Sequence, residues 1–101
     1  MYVLLIIIDD KPELKDLFRQ LCPLAAEWKN IGCLLGLQTH DLNRISRDEE
    51  SVRDRLRVML TEYLHQVDPS PTWKAIIDAV EAIDSNKATE INANLAHNYS
   101  Q

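Results

Sequence analysis

The interval between Ser51 and Asp68 limits the possible folds of this chain more than any other. Val52, Leu56, Met59, Leu60, Tyr63, Leu64 and Val67 fall on one expected inner face, a spacing that matches the α-helical period. A strand would need alternation by two, and none is present here. An amphipathic helix must bury its stripe against another element, so the rest of the chain has to supply partners. At 101 residues and 46% hydrophobic, it has the material for one packed domain without metal or disulfide support. Two glycines and four prolines are too few to turn a many-stranded sandwich.

Five more segments carry the same period. Asp9 and Asp10 before Lys11-Pro12 predict a helix start, and Leu14, Leu17, Phe18 and Leu21 share one face. Pro23 breaks that register, and a second helix is expected to bury Leu24, Trp28, Ile31 and Leu35. Gly36 is placed to end it in the left-handed conformation, with Leu37 folding back. Thr39 is read as the cap of a short helix carrying Leu42 and Ile45, which ends in the polar run Arg47-Asp48-Glu49-Glu50. Ser51 or a nearby acid then opens the helix that carries Val52 to Val67, expected to be the longest. Asp68-Pro69-Ser70-Pro71 is a breaker in which Ser70 caps the next stripe, Trp73, Ile76, Ile77, Val80 and Ile83. Ser85 is read as the cap of a last helix bearing Ala88, Ile91 and Leu95.

These stripes predict an all-α helical bundle over residues 11–96, and the frequent breakers exclude a long coiled coil. Residues 1–10 are read as an apolar lead-in or linker remnant, and residues 97–101 as a flexible tail. Tyr2 to Ile8 is continuously apolar, but it is far short of the ~20 residues a membrane span requires. It also lacks the basic start and small-residue cleavage site of a signal peptide. No direct membrane insertion is expected.

The net charge of −5 disfavours nucleic acid as a partner, because a phosphate backbone repels an acidic chain. Cys22 and Cys33 sit in apolar helical patterns and are read as reduced, buried thiols of a cytoplasmic protein. His40, His65 and His97 are scattered, and neither cysteine has a second thiol or imidazole at metal-ligand spacing. There is no phosphate-cradling glycine loop and no nucleophile elbow. Asp48-Glu49-Glu50 reads as a solvated loop and helix start rather than an acid/base pair. Asn98-Tyr99-Ser100 matches a glycosylation sequon, which carries no meaning in a cytoplasmic chain. No catalytic residue, metal, cofactor or small-molecule substrate is read from the sequence.

The tryptophans say more. Trp28 and Trp73 each lie on an apolar stripe, so both are expected in the core. The first opens Trp28-Lys29-Asn30-Ile31-Gly32-Cys33-Leu34-Leu35-Gly36-Leu37, followed by Leu42 and Ile45. The second frame runs Met59-Leu60-Thr61-Glu62-Tyr63-Leu64, then Pro71-Thr72-Trp73-Lys74-Ala75-Ile76-Ile77-Asp78-Ala79-Val80. In order and spacing these frames resemble the death domain family across roughly residues 12–95. Tyr63 stands where that family commonly has Trp, and Ile77 and Val80 replace leucines. The resemblance implies a six-helix antiparallel Greek-key bundle that binds other death-fold domains, with copies of itself among the candidates, in apoptotic or inflammatory signalling as an adaptor module. A caspase-recruitment-type domain of the same superfamily is the nearest alternative. A small helical nucleic-acid binder using Arg53, Arg55 and Arg57 on phosphate is the alternative from another class.

The expected core is Leu17, Trp28, Ile31, Leu42, Ile45, Leu56, Met59, Leu60, Leu64, Trp73, Ile76, Ile77, Val80 and Ile91. Charge is uneven along the chain: arginines concentrate from Arg44 to Arg57, and acids dominate from Glu62 to Glu90. The candidate interface is therefore a basic side, Arg44, Arg47, Arg53 and Arg57, and an acidic side that includes Asp78 and Glu81. Arg53 and Arg57 are four apart and share a helical face. A guanidinium can grip a carboxylate through two parallel hydrogen bonds, which suits a head-to-tail contact.

Overall fold

The computed structural model describes residues 11–66 and 70–99 of the chain, with side chains through Ala96. Asp9 and Asp10, Val67 to Pro69, the lead-in of residues 1–10 and the last two residues lie outside the described residues. Every regular element among the described residues is helical. α1 is Leu14–Leu21, a 3-10 segment covers Cys22–Glu27, and α2 is Trp28–Leu34. α3 is Thr39–Asp48, α4 is Val52–Leu64, α5 is Trp73–Ile83 and α6 is Ser85–Tyr99. α4 is the hub, approached by α1, the 3-10 segment, α2 and α3. α5 packs on α2 and on α6.

Each helix buries most of the stripe its sequence marks, with Leu14, Phe18, Leu24 and Ile83 half-buried at the margin. All fourteen expected core residues are buried, ten of them with no exposed surface, and Trp28 and Trp73 are each 4% exposed. Leu21, Ala25, Leu35, Tyr63, Ala79, Ala88 and Leu95 complete the cluster. Gly32 marks where α2, α3 and α4 converge. A Cβ there would come 2.7 Å from Leu42 Cδ2 and 3.2 Å from Met59 Cγ. Gly36 ends α2 as expected, with φ +94°. The Leu37 N–H donates to Gly32 O and the Gly36 N–H to Cys33 O, the paired bonds of a Schellman cap.

The helix starts depart from the sequence reading in a consistent way. α1 begins at Leu14 behind Glu13, which makes no side-chain cap. Thr39 is already inside α3, behind an uncapped Gln38. The cap of α5 is Thr72 rather than Ser70, with Thr72 Oγ1 accepting from the Ala75 N–H. Asp84 caps α6 in place of Ser85, its Oδ1 accepting from the Lys87 N–H. A capping side chain must reach the N–H two or three residues on, and several candidates in a row satisfy that in sequence while backbone direction chooses one. Ser51 does cap α4, accepting from the Asp54 N–H.

Three further expectations are corrected. α6, at 15 residues, exceeds α4 at 13, and it continues past His97, where the tail was expected to begin. Val52 is 41% exposed, because the first turn of α4 projects beyond the bundle. Cys22 and Cys33 are free, but Cys22 is only half-buried and Cys33 is exposed. Ile31 and Leu35 face inward, whereas Cys33 and its neighbour Leu34, 51% exposed, share the outer face of α2.

Candidate interaction surface

The five arginines between Arg44 and Arg57 divide by what their guanidinium groups touch. Arg44, on the outer flank of α3, reaches α4 and gives Glu62 two hydrogen bonds, 2.7 and 2.8 Å. Asp41 and Asp48 flank the same group at 3.9 Å each. Its guanidinium is held above its ordinary pKa first by the Glu62 hydrogen bond, then by the Glu62 charge and, more weakly, by Asp41 and Asp48. Three carboxylates thus surround one cation, and the local charge is negative. Arg44 braces α3 against α4 through its Nη2.

Arg55 is also internal in its use. Its Nε donates to Glu49 O at 2.7 Å and its Nη2 to Ser46 O at 3.0 Å. Those carbonyls are left unpaired where α3 ends, and a cation is favoured at that negative pole. The α3–α4 corner is therefore fastened by two arginines. Arg47 points away from the core at the end of α3 and is exposed.

Arg53 and Arg57 lie elsewhere. At ~100° per residue, Arg53 and Glu62 stand roughly half a turn apart on α4. The Arg44–Glu62 brace therefore occupies one flank of α4, and Arg53 and Arg57 the other. Both are exposed. Arg53 sits over the Phe18 ring of α1 with its guanidinium carbon 6.0 Å from the centroid, within cation–π range. Arg57 meets Asp54 at 3.2 Å, a pair more than half exposed. Lys15 and Arg19, both exposed, flank Phe18 on α1. Arg53 thus lies against α1, the helix that carries Lys15 and Arg19, with Arg57 one turn further along α4, while Arg44 takes the opposite flank. The sequence reading missed Lys15 and Arg19, whose only signal was their position beside the half-buried Phe18.

On the acidic side, Asp78 and Glu81 are exposed on α5. Asp78 is paired with Lys74 at 2.9 Å one turn earlier. Glu62, the first residue of the acidic stretch, belongs to the Arg44 brace. Among the described residues, no group of His, Cys, Asp and Glu could hold a metal ion, and no helix is long and apolar enough to cross a membrane.

No curated protein and no solved structure gives a match to the chain. A family model described as Death domain matches residues 11–95, the interval over which α1 to α6 build the single core. The chain belongs to the death domain family, whose members are helical modules for interaction between proteins.

Proposed function

We propose that this domain is a non-catalytic homotypic interaction module of cytoplasmic signal transduction. It recruits other death-fold domains, copies of itself among them, in signalling of the apoptotic or inflammatory type. The observation that carries this reading is the exposed basic seam of Lys15, Arg19, Arg53 and Arg57 on a chain whose net charge is −5. A concentrated cationic strip on an acidic molecule favours an acidic protein surface in one orientation and disfavours others. Asp78 and Glu81 on α5 are the complementary candidates on this chain, which permits head-to-tail contact between copies. Arg47, exposed at the other corner, is a secondary candidate; Arg44 contributes as a brace.

The nucleic-acid alternative loses ground because Arg55 spends its donors on Ser46 and Glu49 carbonyls. The test is capture of purified death-fold domains, this chain included, by the immobilised domain at low and high salt. Capture that weakens as salt rises is the expected result. Failure to bind any of them, with DNA retained steeply at low salt, would replace this reading with the alternative.

A further inference from the structure

α4 carries two carboxylates, Asp54 and Glu62, and they are used differently. Glu62 takes Arg44 on the α3 side. Asp54 stands one turn before Arg57, whose Nη2 donates to Asp54 Oδ1 at 3.2 Å, with both groups more than half exposed. Among the described residues, Lys15, Arg19 and Arg53 make no ion pair, so Asp54 is the one carboxylate that already meets a cation of the basic seam. Backbone geometry fixes its place. The Asp54 N–H donates to Ser51 Oγ at 3.0 Å, and an acid in the first turn is favoured by the positive pole of the helix. The Asp54–Arg57 pair itself, open to solvent, contributes little to stability.

We propose that Asp54 is a built-in competitor that lowers the affinity of the seam for an acidic partner and so makes the contact more selective. This rests on the reading of the seam as a docking surface. The bond to Asp54 occupies one nitrogen of the Arg57 guanidinium. A partner's carboxylate therefore either shares that group or displaces Asp54 to grip it with two parallel hydrogen bonds. In both cases a second negative charge stays beside the first. Two carboxylates on one guanidinium stand about 6 Å apart, where repulsion through water corresponds to roughly a threefold loss of affinity, and more where the contact excludes water. A partner offering a single acid meets an Arg57 that is already neutralised. A partner offering several carboxylates can engage Arg53 and the α1 cations as well, and is favoured. Asp78 and Glu81, three apart on α5 and both exposed, have that character.

The test compares D54N, D54E and R53E/R57E with the wild type at low and high salt. Self-association is read by sedimentation, and hetero-association by capture of the death-fold domains that the wild type binds. D54N removes the charge while keeping the side-chain size and the backbone bond to Ser51. It is expected to associate roughly threefold to tenfold more tightly at low salt, with the gain shrinking at high salt, while its thermal midpoint falls slightly. D54E keeps the charge and is expected to stay near the wild type. Tighter association with lower stability is a combination that a purely structural Asp54 does not produce. Unchanged or weaker association of D54N, or an equal gain in D54E, overturns the proposal; loss of association in R53E/R57E then leaves the seam reading standing. An R53E/R57E that associates as the wild type does, or a wild type that associates with nothing, sinks the seam reading and the proposal with it.

Discussion

Replacing Trp73 with alanine probes the register of α5 and the integrity of the core together. Trp73 is the first residue of α5, only 4% exposed, and follows the capping Thr72. A buried tryptophan removes ~200 Å² from water. At ~25 cal/mol per Å² that is about 5 kcal/mol, less what alanine retains. Large-to-small replacements of buried aromatics cost ~3–5 kcal/mol once the cavity is included. A domain of this size has a total stability of roughly 5–15 kcal/mol, so the variant retains a fold with a much reduced margin. Each kcal/mol moves the midpoint of such a domain by ~4–8 °C, giving a fall of roughly 12–40 °C. Urea unfolding followed by far-ultraviolet circular dichroism and by the fluorescence of Trp28, then the lone tryptophan, gives the cost directly. The urea slope should stay constant, because the surface exposed on unfolding hardly changes. Native stability in W73A would refute the placement of Trp73 in the core and with it the register of α5.

Three other outcomes follow from local geometry. D84A removes the side-chain cap of α6 and should cost ~1 kcal/mol in urea unfolding, with D84N recovering most of it; equal stability of all three would show that the Asp84–Lys87 bond carries nothing. At Gly32, alanine should cost less than valine: its ~1 kcal/mol gain in helix propensity partly offsets a Cβ that meets Leu42 Cδ2 at 2.7 Å and Met59 Cγ at 3.2 Å, both on fully buried side chains. Valine there should cost ~1–3 kcal/mol by overpacking against Met59, and the urea midpoints of the two variants separate the cases. Burial pushes the Tyr63 hydroxyl above its ordinary value, opposed by the Thr72 backbone hydrogen bond. A raised folded-state pKa contributes stability below the unfolded value near pH 10 and loses it as pH climbs through the folded value. Stability should therefore fall between pH 9 and 11, and Y63F should fall less; equal slopes would exclude Tyr63 as the source.

The core was legible because burial follows period, and period is written in the chain. Leu56, Met59, Leu60 and Leu64 mark one face of α4 whatever that face meets. Caps were less legible, since Ser70 and Thr72, or Asp84 and Ser85, are equivalent by residue type and differ by where the backbone turns. The surface was least legible. Arg44, Arg47, Arg53, Arg55 and Arg57 look like one basic run, yet charge in a folded domain is grouped by helix face and by partner. Glu62 lies on the α3 side of α4 and takes Arg44, while the free carbonyls of Ser46 and Glu49 take Arg55. Phe18 brings Arg53 against α1, the helix that carries Lys15 and Arg19, residues distant in sequence that no local pattern connects. The cysteine reading failed similarly, for Cys33 is flanked by apolar residues and still faces solvent.

The most direct test of the interaction account is charge reversal on the α1–α4 seam. Sedimentation of R53E/R57E against the wild-type chain should be measured at low and high salt, alone and with the death-fold domains that the wild type captures. Both residues are exposed and outside the core, so circular dichroism and thermal midpoint should stay near those of the wild type. The account predicts that association is lost in the variant and that its salt sensitivity goes with it. Association of a folded R53E/R57E that matches the wild type at every salt concentration would contradict the account.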